Sequence, residues 1–367
     1  MSSQGDQALS GPNIIKDEQV WFDDGNLVVF VGPECHYGSP LKGDVYAFKP
    51  SRGFLGQHGH VFAAAFHGQG GDPDETFEGV QYVIMPDHWE DMRDFMRMIH
   101  GFSFHVFAHV GLFDAKTTRA LAGPLRLSKK YGLDKSFEDL VAVLERDWPS
   151  SYDEWFKPRD LVLQQRSQSR HKDPLEYYPD AAFAISLGHE LGIKSILHAA
   201  YYDHNSILYT PLHPHEDHYE GRYSRDINIG IENVPRLFHG RERMRRAVSA
   251  FIEEEFTQDS VLSELVLSST LRGCTLSNDT DHRRKCQDAV VKWQDQTYDL
   301  LHNLWSSVLQ DPAGHFKGLA DGLTAEELPQ YHQEICAACR HSLAMILRTY
   351  SRQLWDKVPS YFDLESA

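Results

Sequence analysis

Strand-like alternation crowds into the first 86 residues of this 367-residue chain and nearly vanishes after residue 150. A sheet is therefore expected near the amino terminus, with the later part folding mostly as helices. Inside the front segment the period changes abruptly, in "YAFKPSRGFLGQHGHVFAAAF" at residues 46–66. Val45, Tyr46 and Phe48 begin as a half-buried strand. From Phe54 the apolar residues at 54, 55, 61, 62, 65 and 66 take up helical spacing, with His58 filling the one gap. Upstream, "VWF" and "LVVFVG" flank "DDGN" and read as a hairpin. Downstream, "VQYVIMP" puts Val80, Tyr82 and Ile84 on one strand face. A helix follows from a cap at Asp87 to His100, with Trp89, Met92, Phe95, Met96 and Ile99 in register and Gly101 at its end. Further helices fit 116–130 and 136–147, the second carrying Phe137, Leu140, Val141 and Leu144. The pattern is α+β, not a repeating βαβ one.

Helical stripes dominate the second half: Phe183, Leu187, Leu191; Met244, Val248, Phe251, Ile252; Tyr298, Leu301, Leu304, Trp305, Val308; and Leu343, Ile346, Leu347, Tyr350, Leu354. A chain of this length suits two domains. The expected division is a loose tail at 1–14, an α+β domain at 15–150 and a helical domain at 151–367, with the polar run "QQRSQSRHKDP" as the linker candidate.

The formal charge of −17 argues against nucleic acid as a partner, because the summed field repels a phosphate backbone. The local exception is residues 222–246, where Arg222, Arg225, Arg236, Arg241, Arg243, Arg245 and Arg246 gather; the plain reading is a solvated helix face. That helix ends in Glu253, Glu254 and Glu255, so its charges oppose its own dipole and packing must hold it. No apolar run is long enough for a membrane span, and "MSSQGDQALSGPN" is not a secretory signal. Five cysteines without such a signal point to a reducing compartment, so an intracellular protein of cytoplasm or nucleus is expected.

Phosphate-binding loops, dinucleotide fingerprints and nucleophile elbows are missing from the sequence. "GHELG" and "PHEDH" lack the second histidine four residues on that a zinc protease helix requires. His213, His215 and His218 form a loop that either chelates a transition metal or is simply solvated, the latter favoured by Pro211, Pro214 and the 21 histidines in the chain. Cys336 and Cys339 have the two-residue spacing with which thiolates grip one zinc ion, and Cys274 and Cys286 lie upstream. Four such thiols complete a tetrahedral structural site. Alternatively they are small hydrophobes on helices.

"DDGNLVVFVG", "YAFKPSRGFLGQHGHVFAAAF" and "FEGVQYVIMPDHWEDMRDFMRMIHG", followed by "LAGPLRLSKKYGLDKSFEDLVAVLERDWP", resemble in order and spacing the BTB/POZ domain. "ISLGHELGIKSILHAAYYD", the C-x-x-C pair and "RQLWDKVPSYFDL" extend the resemblance along nearly the whole chain, to the BTB proteins numerous in mushroom-forming fungi. Lys49 and Pro50 depart from that pattern, which commonly has a Val-His pair there, as does Asn26, where a second Asp is frequent.

The resemblance implies a small sheet backed by helical hairpins and used as an interaction platform, with no catalysis. It implies self-association, which would use Val20, Phe22, Phe54, Leu55 and Phe62, or docking to a cullin-type ubiquitin ligase scaffold, with a target held by the helical half. Each of those five residues has the alternative role of plain monomer core. The competing reading is a metal-dependent enzyme built on the His213/His215/His218 loop or on the cysteines.

Overall fold

The computed structural model describes residues 12–32, 43–58, 76–101, 114, 116–157, 179–206, 229–256, 280–326, 328 and 330–364. The chain divides into two compact units, Met1–Asp147 with Tyr178–Asp180 and Trp148–Tyr177 with Ala181–Ala367. The first is mixed α+β and the second helical.

In the sheet unit five strands, β1 (Asn13–Trp21), β2 (Val28–Val31), β3 (Asp44–Lys49), β4 (Thr76–Phe77) and β5 (Val80–Met85), lie in the order β1-β3-β2-β5-β4. The expected hairpin across "DDGN" does not form: β1 pairs in parallel with β3, and β2 pairs antiparallel with β3 on its other side. The reason lies at the end of β3. The chain crosses it there, with the Phe22 amide donating to the Lys49 carbonyl at 3.1 Å and the Gly25 amide to the Phe22 carbonyl at 3.1 Å. A β-carbon on Gly25 would stand 2.3 Å from that Lys49 oxygen, so only glycine fits the crossing.

β1 is itself interrupted. Its register with β3 shifts between Lys16 and Trp21, where Asp17 folds its carboxylate back onto the amides of Gln19 and Val20 at 3.0 and 2.9 Å. The other oxygen of Asp17 takes Arg97 at 2.7 Å, which satisfies a carboxylate with only 6% of its side chain exposed.

Period two gives the sheet two faces. Val28, Phe30, Val45 and Ala47 make one buried cluster, ringed by Ile14, Trp21, Phe77, Val80, Tyr82 and Ile84. Val29, Val31, Phe48, Val83 and Met85 are buried on the opposite side. Tyr46, on this second face, stacks on Trp89 with ring centroids 3.8 Å apart, so the helix Trp89–Ile99 backs it. Its cap is His88, not Asp87. Asp87 is buried and accepts hydrogen bonds from Tyr131 and from Lys130, the latter at 2.6 Å, tying the helix start to Thr117–Lys130. Asp134–Asp147 completes the helical layer. The helix read from Phe54 onward is described as Arg52–His58, and its continuation lies outside the described residues.

The helical unit contains a hairpin, Ala181–Leu191 and Lys194–Asn205, then Val234–Glu255, Thr280–Asn303, Trp305–Gln310, Pro312–Thr324, Ala337–Asp356 and the short Val358–Tyr361. The Tyr298-to-Val308 stripe breaks at Leu304, which is exposed, while Leu301 and Val308 are buried. Trp355 sits at the centre. Its ring lies 5.6 Å from Trp155, 5.0 Å from Tyr202 and 4.5 Å from His198. The Trp355 indole donates to the Ser150 carbonyl at 2.9 Å, and His198 Nε2 meets the Trp355 carbonyl oxygen at 2.9 Å. Burial holds His198 neutral, its pKa brought down to about 4. At the closing segment the buried Phe362 ring fills the space over Gly240, where a β-carbon would stand 2.1 Å from it.

Candidate metal centre

The stripe that begins at Leu343 belongs to a helix that starts at the C-x-x-C pair. Cys336 is the N-cap of Ala337–Asp356, in extended backbone, and Cys339 falls in its first turn. The Cys336 side chain makes no capping hydrogen bond, but the dipole at a helix start favours negative charge on sulfurs placed there. Cys286 arrives from another helix, Thr280–Asn303, and accepts a hydrogen bond on its Sγ from the Cys336 amide at 3.3 Å. Cys286 and Cys339 are buried and Cys336 is half-buried.

The three Sγ atoms lie within 4.8 Å of one another. Their mutual contact outweighs the dipole: the hydrogen bond with Cys286, then burial, then Cys336 hold the Cys339 thiol far above the usual range, and it stays protonated. A cation reverses that balance, because it replaces thiol protons and compensates the thiolates. Three soft donors in this arrangement can hold a metal ion. Of the four cysteines expected together, the structure gathers Cys286, Cys336 and Cys339, while Cys274 lies outside the described residues. His213, His215 and His218 also lie outside them. What the spacing did not reveal is the N-cap role of Cys336, although a C-x-x-C set directly before a helical stripe was a usable signal.

Of the five residues assigned to self-association, Val20 and Leu55 are fully buried in the core of the sheet unit. Phe22 and Phe54 are half-buried and both pack against His100, with centroids 5.0 and 4.5 Å away. Phe62 lies outside the described residues.

The Arg-rich segment is engaged within its own unit. Arg243 donates to the Tyr361 carbonyl at 2.8 Å and to Asp363 at 2.6 Å, Arg241 to the Asn205 carbonyl at 3.2 Å, and Arg236 to Asn233 at 3.3 Å. Arg245 and Arg246 both reach Glu242, whose carboxyl they hold down to about 2. Arg222 and Arg225 lie outside the described residues. Among the described residues, no helix is long and apolar enough to cross a membrane. Compared with known protein families, curated proteins and solved structures, the chain has no significant match.

Proposed function

We propose that this chain is a non-catalytic interaction protein of BTB/POZ type, in which the sheet unit self-associates or docks a cullin-type scaffold and the helical unit holds the target. The observation that carries this reading is the build of the first unit. A small sheet, with β2 beside β3 and β5 re-entering in parallel beside β2, is backed by Trp89–Ile99, Thr117–Lys130 and Asp134–Asp147. This α+β build supports the reading, since the resemblance implies a small sheet backed by helices.

In the same reading Cys286, Cys336 and Cys339 hold a structural zinc ion, with Cys274 as fourth ligand. Sulfurs around a tetrahedral zinc stand about 3.8 Å apart for a bond of about 2.3 Å. Thiols already within 4.8 Å of one another need only a small closure. A closed four-thiolate site has no open position for substrate, which favours a structural over a catalytic role.

The test is sedimentation of the full chain over a range of concentrations, together with capture of a cullin scaffold from native extract. The reading expects oligomers or scaffold binding, weakened by Phe54→Glu. A monomer at every concentration that also captures no scaffold contradicts it.

A further inference from the structure

Between Val234–Glu255 and Ala337–Asp356 runs a groove of about 590 Å³. Phe251 and Tyr350 close its floor, stacked with ring centroids 3.3 Å apart, and the Tyr350 hydroxyl donates to the Ala247 carbonyl at 2.9 Å. Ala250, Met345 and Ile346 give an apolar lining, with Met345 51% exposed. From Met345 to Lys357 the lining follows one helix for about 18 Å, or roughly three turns at 1.5 Å per residue. Small alanines permit close approach, and an exposed methionine adapts to what covers it.

Two further observations point to the occupant. Glu253 and Glu254 are exposed at the carboxy-terminal end of their helix, where the dipole already places negative charge, and neither forms an ion pair among the described residues. Glu254 lines the groove, and the exposed Lys357, at the carboxy-terminal end of the facing helix, lines it too. Tyr361 also lines it, is only 9% exposed, and its hydroxyl makes no hydrogen bond among the described residues. Two carboxylates without ion pairs, at the Glu253–Glu254 end of an apolar trough, suit a cation next to an apolar face.

We infer that this groove docks a basic amphipathic helix of a partner protein. Its apolar residues, spaced i, i+3/i+4 and i+7, enter between the two helices, and a lysine or arginine on its flank meets Glu253 and Glu254. The inference rests on the reading that the helical unit holds a target, and it names the chemistry of that target.

The probe is a fluorescein-labelled peptide of about 14 residues, with leucines at that spacing and lysines on one flank. Its anisotropy is followed with the full chain, alongside sedimentation of the same samples. Binding is expected, weakened at least about tenfold by Glu253→Gln/Glu254→Gln and by the groove-filling Ala250→Gln, and about threefold to tenfold by Tyr361→Phe. Glu138→Gln/Glu326→Gln, which removes two exposed carboxylates outside the groove, is expected to change nothing. No binding overturns the inference. Equal losses with both double variants also overturn it, because attraction to the net charge of −17 then explains the binding. Self-association read from the sedimentation is independent of these outcomes, so failure of the groove and failure of the interaction reading are told apart.

Discussion

In the sheet unit, segments as distant as Asn13 and Asp44, or Val28 and Tyr82, are joined by backbone ladders. In the helical unit the backbone satisfies itself every four residues, so distant segments are joined by side chains that reach a backbone oxygen. Trp355 donates to Ser150, Ser351 to Ala313, Tyr350 to Ala247 and Arg243 to Tyr361, across separations of 205, 38, 103 and 118 residues. The difference teaches where each unit is vulnerable. A ladder tolerates the loss of most single side chains, though not of one that, like Asp17, satisfies free amides, whereas a helical assembly loses a tie with each one removed. A metal held between two helices, as proposed, would be one more such tie.

The largest expected break is at the helical centre. Trp355→Ala removes a fully buried ring and the bond to Ser150, and is expected to cost about 3–5 kcal/mol. Thermal unfolding with peptide-resolved hydrogen exchange checks that the loss falls in the helical unit. Asp17→Ala is the counterpart in the sheet unit. It frees two amides and leaves Arg97 without its carboxylate, for a loss of about 3 kcal/mol by urea denaturation, with exchange increasing at β1.

A smaller effect separates the units by pH. His198 has its folded pKa lowered to about 4 from 6.5, so its contribution is full above pH 6.5 and is lost as the unfolded chain takes up the proton below that. From pH 7 to 5 the helical unit should lose about 2 kcal/mol by this linkage, and His198→Gln should flatten the profile. His189 and His332 are also lowered, chiefly by burial, and add to the slope in the same direction. The smallest change is expected at Lys16→Gln, which removes a 2.8 Å pair with Glu78 between half-exposed side chains and should shift stability by at most about 0.5 kcal/mol. A larger loss there would mean that the sheet unit depends on exposed side-chain pairs as well as on the buried Asp17.

Much of this architecture was legible where periodicity and local chemistry agree. Val80, Tyr82 and Ile84 share a sheet face as their alternation implied, and Met244, Val248, Leu343, Leu347 and Leu354 are buried at helical spacing. The failures came where a distant contact decided. "DDGN" reads as a hairpin turn, yet Gly25 packs on the Lys49 backbone and sends the chain across β3. Asp87 reads as a cap, yet Tyr131, 44 residues later, draws it into the interior. In the candidate site the C-x-x-C spacing was visible, but the arrival of Cys286 from another helix depends on packing that no local pattern encodes.

The most direct test of the proposal that a metal joins the side-chain ties fixing the helical unit is peptide-resolved hydrogen exchange of the full chain, after incubation with zinc and after treatment with a strong chelator. The account predicts that chelation speeds exchange in Thr280–Asn303 and at the start of Ala337–Asp356 while β1 to β5 are unchanged, and that Cys339→Ser reproduces the chelated pattern without chelator. Identical exchange with and without zinc, or a loss of protection spread equally over both units, would contradict it.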